Sequence, residues 1–241
     1  MPLRAARFSD HSIIAVLCCA AWYDEDFFGS VMHPLREQYP NDPALYWHSR
    51  IREHWCDWRN KVFVAVQRDE ENPNQEKIVG VAVWQRQGEG GRKMELSVFD
   101  PRTILPPLIK LSNYLNSHLY PNHAINPTKA TLLSAAMPFC KHHWAGPRHE
   151  NWYLALCAVH PVHQGQGFGR ELVEWGIQQA ERENVHASVM SSDGSDEFYL
   201  KCGFEEIVGN ATEGEGNPMR GVKGGAILFW FPEGEDAGGD S

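Results

Sequence analysis

The chain has 241 residues, 42% of them hydrophobic and 11% aromatic, with a formal net charge of −9. That apolar content suits a well-buried core, while the acidic balance argues against a nucleic-acid partner and weakly favours cationic acceptors such as amines. No run approaches the roughly eighteen apolar residues of a membrane span, so neither nucleic acid nor membrane is expected as a partner.

The opening Met1-Pro2-Leu3-Arg4-Ala5-Ala6-Arg7 lacks a signal-peptide apolar core. The six cysteines, Cys18, Cys19, Cys56, Cys140, Cys157 and Cys202, include no C-x-x-C pair. Together these features predict reduced, buried thiols and a cytoplasmic location.

In chain order, Leu3 to Phe8 reads as a strand, and Ser9-Asp10 caps a helix from His11 to about Trp22. Tyr23 to Phe28 mixes Asp24, Glu25 and Asp26 with Phe27 and Phe28. Such a mixture holds an ammonium by charge and cation–π attraction, or else forms an aromatic lid over the core with solvated acids. A helix is predicted from Asp42 to about Asn60, with Leu45, Trp47, Ile51, Trp55 and Trp58 as its core stripe. Val62–Val66 and Ile78–Gln87 read as a hairpin turned through Asn72-Pro73-Asn74. Gly88-Glu89-Gly90-Gly91 reads as a surface loop. Helical runs follow at Leu105 to Leu119 and Pro127 to His143. His142 and His143 are adjacent and share no helical face, so they make a poor zinc site; either is a candidate general base, or a helix C-terminal histidine favourable to the dipole.

Trp152 to Val159 is an apolar strand broken by Pro161 and followed by a glycine-rich turn. A helix then begins near Gly169, with Leu172, Val173, Gly176, Ile177 and Ala180 on one face. Strand, glycine turn and helix start is a phosphate-binding geometry. The P-loop ending fails, because Gly169 is followed by Arg170-Glu171. The dinucleotide fingerprint fails too, because the glycines run G-x-G-x-G. His160 and His163 have an H-x-x-H spacing with no third ligand in sight, so no metal is expected. Ala187–Ser191 is a strand, Asp196–Cys202 a short helix, and Gly203–Val208 and Ala226–Phe231 the last two strands. The glycine-rich loop Gly209–Gly225 is expected to be mobile, and Glu233–Ser241 to be a disordered acidic tail.

Gln164-Gly165-Gln166-Gly167-Phe168-Gly169 matches the acyl-CoA signature Q/R-x-x-G-x-G/A of the GNAT N-acetyltransferase superfamily. Phe198-Tyr199-Leu200-Lys201-Cys202-Gly203-Phe204 resembles that family's Y-x-x-x-G-F element, and order and spacing agree. The resemblance implies an α/β (α+β) GNAT fold: a mixed central sheet flanked by helices, spanning residues 1–232 as one domain. Residues 88–150 would be a helical insertion between the third and fourth strands, beside the acceptor side. It further implies acetyl-CoA as co-substrate and direct attack by an amine. The cofactor would be held by Cys157, Ala158, Val159, Gln164, Gly165, Gln166, Gly167, Phe168, Gly169, Arg170, Ser192 and Tyr199. Ser192 stands where many relatives place an asparagine. Val159 would polarise the thioester carbonyl through its N–H, and Tyr199 would protonate the leaving thiolate. The general base has no motif; His142, His143, Glu25 and Asp193 are candidates. The acceptor expected is a small amine, with a protein or peptide acetyltransferase and a non-catalytic acyl-CoA sensor as the rivals, and the chain a monomer or homodimer.

Overall fold

The computed structural model describes residues 3–68 and 76–234. Seven strands form one sheet: β1 (Leu3–Ala5), β2 (Asn60–Arg68), β3 (Glu76–Arg86), β4 (Asn151–Val159), β5 (His186–Met190), β6 (Glu206–Asn210) and β7 (Ala226–Trp230). Their order is β1-β2-β3-β4-β5-β7-β6, antiparallel throughout except for the central parallel pair β4–β5.

Strand alternation divides the core between two faces. Val64 and Val66 of β2, with Val81 and Val83 of β3, pack under α1 (His11–Ala21) and α2 (Pro43–Cys56), meeting Ile14, Leu17, Trp47 and Ile51. Ala65, Val79 and Trp84 face the other way, onto α6 (Phe168–Glu183), where Leu172, Val173 and Ala180 form the predicted stripe. Helix and sheet touch most closely at Gly176, where a Cβ would lie 2.0 Å from the Trp84 indole. The same indole donates from Nε1 to the Leu172 carbonyl at 3.0 Å.

A bulge in β4 changes which helix layer its side chains meet. Val83 pairs with Leu156 and Trp84 with Leu154, so Ala155 is an extra residue. Leu154 therefore packs toward α6 while Leu156 and Ala158 turn to the α1–α2 side.

Between β3 and β4 lie α3 (Gly88–Met94), α4 (Leu105–Leu119) and α5 (Leu132–Cys140). The glycine run at 88–91 is thus a helix start and not a surface loop. The Glu150 carboxylate accepts the amides of Glu89 and Gly90, satisfying the first turn. The near-fully buried Arg86 crosses beneath and pairs with Glu150 and Glu183, each at 2.7 Å. A Cβ at Gly90 would lie 2.3 Å from its guanidinium, which explains a glycine inside a helix.

Other boundaries move for local reasons. Asp10 caps no amide of α1; its carboxylate accepts from the Arg7 amide and the Arg4 guanidinium, both at 2.7 Å. α2 stops at Cys56 because the Asp57 carboxylate takes the Arg59 amide and guanidinium, so Asn60 already belongs to β2 and Trp58 lies off the helix. The run predicted from Pro127 begins only at Leu132, because the Asn126 side chain holds Thr128 in a turn, and it gives way to a 3-10 turn over Lys141–Trp144. β1 is shorter than expected, and β6 begins at Glu206, after Gly203 with φ +109°. The loop before β7 is pinned where mobility was expected. Buried Asn217 donates to the Ala211 and Glu213 carbonyls and accepts the Met219 amide, and Met219 packs with Phe27 and Leu132. The predicted turn at 72–74 and the tail beyond Gly234 lie outside the described residues.

Gly176→Ala is expected to destabilise the fold by about 1–3 kcal/mol, because overpacking against Trp84 outweighs the gain in helix propensity. Thermal melts test this; a variant as stable as the parent would contradict the close packing.

Candidate active site

The site begins where β4 and β5 part. Their parallel pairing runs from Asn151–His186 to Leu154–Val189 and goes no further, while β4 continues to Val159 against β3 alone. The His160 amide donates to the Val79 carbonyl at 2.9 Å, which makes Gly80–Val159 a non-hydrogen-bonded pair. The amide of Val159, and by alternation that of Cys157, therefore points away from β3 into the opening. Ala158 points its backbone at β3 and its side chain into the core, so its main chain contributes no free donor to the cleft.

The chain leaves β4 through a 3-10 turn at Pro161–His163, and the Gln164 side chain returns to cap the Val159 carbonyl at 3.1 Å. Gly165 and Gly167 have φ of +74° and +91°, a left-handed conformation that only glycine adopts cheaply. Gly167 is the N-cap of α6, so the first-turn amides of that helix project beyond it without intrahelical acceptors. They face a cleft of about 700 Å³. Cys157, Ala158, Val159, Gln164, Gly165, Gly167, Phe168, Gly169, Arg170, Ser192 and Tyr199 line it. Gln166 does not; its amide turns back onto the Val162 carbonyl at 3.3 Å.

Tyr199 comes from α7 (Asp196–Lys201) and is nearly buried. Burial holds its phenol well above the ordinary tyrosine range, and pushes the neighbouring Cys157 thiol up to about 12. Both are protonated at neutral pH. Ser192 reaches Ser195, Oγ to Oγ, at 3.1 Å.

A second pocket of about 120 Å³ continues from the cleft between the parted strands. Trp22, Glu25, Cys157, Ser192, Tyr199 and Lys223 line both spaces and so mark their junction. Beyond it the walls are Phe27, Phe28, Tyr46, Trp47 and Tyr153, with Leu133 of α5 beside them. Trp22 stacks on Trp47 with centroids 4.6 Å apart, and Phe28 lies 5.0 Å from Trp47. The Glu25 carboxylate accepts the Phe28 amide at 2.7 Å, fixing a π-type turn over Asp26–Met32. Burial nevertheless raises its carboxyl above the ordinary range. In the mixed segment 23–28, Phe27 and Phe28 pack as an aromatic lid would, but Glu25 is not a solvated acid: it is part-buried and faces the junction. Trp47 and Tyr153 escape sequence reasoning because each sits in a run that reads as core, and Tyr46 because it lies off the predicted stripe of its helix.

His142 and His143 are not brought to the site. Trp144 anchors their turn over β5 and β7 by donating to Ser188 Oγ at 3.0 Å, which lays the His143 ring against Gly209. Burial also lowers the His143 imidazole. Of the proposed bases only Glu25 and Asp193 line the cleft. His160 and His163 stand with ring centroids 6.0 Å apart, and His163 edges the cleft. No group of three or more metal-ligating side chains occurs among the described residues. No helix among them is long and apolar enough to cross a membrane.

A profile of the acetyltransferase (GNAT) family matches residues 134–204, spanning the glycine loop and Tyr199. An acetyltransferase from Stachybotrys chartarum is 26% identical over 211 residues, covering 85% of this chain and 80% of that protein. Among solved structures, the histone acetyltransferase HPA2 and related acetyltransferase from Corynebacterium glutamicum superposes with a TM-score of 0.56 at 18% identity, over 95% of both chains. Arylalkylamine N-acetyltransferase 2 from Aedes aegypti gives 0.52 at 14% identity, over 95% of this chain and 98% of that one. These two likenesses concern the fold. The parting of β4 from β5 and the glycine-started α6 both fall within the matched residues. Residues 134–204 thus resemble the acetyltransferase (GNAT) family, and the Stachybotrys chartarum acetyltransferase is similar to most of the chain.

Because burial raises the Glu25 carboxyl, its ionised form opposes folding above the folded-state pKa, and the opposition vanishes below the unfolded value near about pH 4. Glu25→Gln is therefore expected to melt higher than the parent at pH 7–8 and level with it near pH 4. Melting curves across that range decide; a parent more stable at pH 8 would contradict the burial of this carboxylate.

Proposed function

We propose that the protein transfers an acetyl group from acetyl-CoA to the primary amine of a small molecule. The observation that carries this reading is the meeting of two spaces at Tyr199 and Cys157: a long cleft under a glycine-capped helix start, and a small aromatic pocket. The residues present suit the cofactor. The α6 first-turn amides and Arg170 would hold its pyrophosphate, Gly165 leaves open space where a side chain would stand, and the outward amides of Cys157 and Val159 would hold its arm. Acetyl-CoA supplies the acyl group as a thioester.

The chain's own residues divide the remaining work. The Val159 N–H stabilises negative charge growing on the carbonyl oxygen. Tyr199, kept protonated by burial, donates its proton to the departing sulfur. Glu25, at the junction and of raised proton affinity, takes a proton from the incoming ammonium directly or through water. The aromatic walls accept the apolar body of the amine and interact with its positive charge. A pocket of about 120 Å³ favours a small amine over a protein substrate.

Acetyl-CoA and free CoA are expected to raise the melting temperature while ATP does not. Gly167→Glu should remove that rise, because it forces a side chain into a φ of +91° and sets an anion beside phosphate. No rise with either CoA species would overturn the cofactor assignment. With an accepted amine, Tyr199→Phe should lower kcat by about 100-fold with little change in KM. An unchanged kcat would remove its role as acid.

A further inference from the structure

Helix α4 is built inside out. Its inward face carries Asn113, which donates from Nδ2 to the Ser49 carbonyl at 3.3 Å and to Glu53 Oε1 at 3.2 Å, tying α4 to α2. The opposite face carries Ile104, Leu108, Leu111, Leu115 and Leu119, which are 52–71% exposed. Phe99, 92% exposed, and Tyr120 extend the patch at either end. A helix that packed only on its own chain would place these leucines inward and its asparagine outward. Seven large apolar side chains exposed along one face form a continuous patch of the kind that marks an interaction surface, where a monomer's exposed apolar residues are usually scattered singly.

We infer that α4 joins two copies of this chain, packed antiparallel about a twofold axis between residues 111 and 112. The stripe is self-complementary under that operation. Ile104 falls opposite Leu119, Leu108 opposite Leu115, and Leu111 beside its own copy, which is what an isologous interface requires. Spacings of four, three, four and four residues are those of helices that interlock side by side. Charge selects the same occupant. Asp100 and Arg102 pair with each other at 2.7 Å, leaving Lys110 as the one other formal charge between Ser97 and Tyr120. Two chains of net charge −9 repel over most of their surface, and this face lets them meet without opposing like charges. The same net charge disfavours an anionic membrane as the occupant.

Sedimentation equilibrium of the full chain across the micromolar range should give twice the chain mass. Leu111→Glu/Leu115→Glu should raise the dissociation constant by roughly a hundredfold, while far-ultraviolet circular dichroism keeps the helical signal. Leu111→Cys in an otherwise unaltered chain should give a disulfide-linked dimer on mild oxidation, whereas Ser117→Cys, off the stripe, should not. A monomer at every concentration, or a dimer that is insensitive to the Glu pair and that Leu111→Cys fails to cross-link, would overturn the inference. So would a monomer that binds neutral phosphatidylcholine vesicles through the same leucines.

Discussion

The parallel pairing of β4 with β5 stops after Leu154–Val189, and the site depends on that stop. A strand that loses a neighbour must direct its amides elsewhere or leave them in a cleft. Here the extra residue at Ala155 and the register against β3 send the amides of Cys157 and Val159 into the opening. One ladder thus determines where the strands part, which backbone donors become available and where the Leu154 and Leu156 side chains go.

Packing on each side keeps the gap open. α6 is drawn tight to the sheet through Gly176 and Trp84, and its glycine-capped first turn, whose amides have no intrahelical acceptor, stands beside the end of β4 at the cleft. On the far side, Trp22, Phe28 and Trp47 stack into a wall that does not close onto β5. The pinned loop before β7 brings Lys223 to the junction, and its amide donates to Asp26 at 3.0 Å. Buried Arg86 with Glu150 and Glu183 ties the β3–β4 connection to the C-terminal end of α6. Removing one partner from such a group leaves a buried charge uncompensated.

The sequence reveals those parts of the site that are local in the chain. Gln164 to Arg170 and Phe198 to Phe204 each hold their geometry within a few residues, so their spacing alone indicates a glycine-capped helix start and the position of Tyr199. α4 was legible in extent, Leu105 to Leu119, but not in orientation, because only tertiary packing shows that its asparagine faces inward. The aromatic pocket was illegible for a similar reason. Trp22, Tyr46, Trp47 and Tyr153 come from three separate parts of the chain, and nothing local in any of them signals a shared pocket. The glycines at 88–91 misled because the carboxylate that caps them, Glu150, stands some sixty residues away.

The most direct test is amide hydrogen exchange with and without acetyl-CoA. Slowed exchange is expected at the amides of Cys157 and Val159 and through residues 164–170, with the amide of Ala158, already bonded to β3, and those of α3 unchanged. Protection centred on the glycine-started α3, or none at the end of β4, would contradict the claim that the parted strand and the capped helix form one cofactor site.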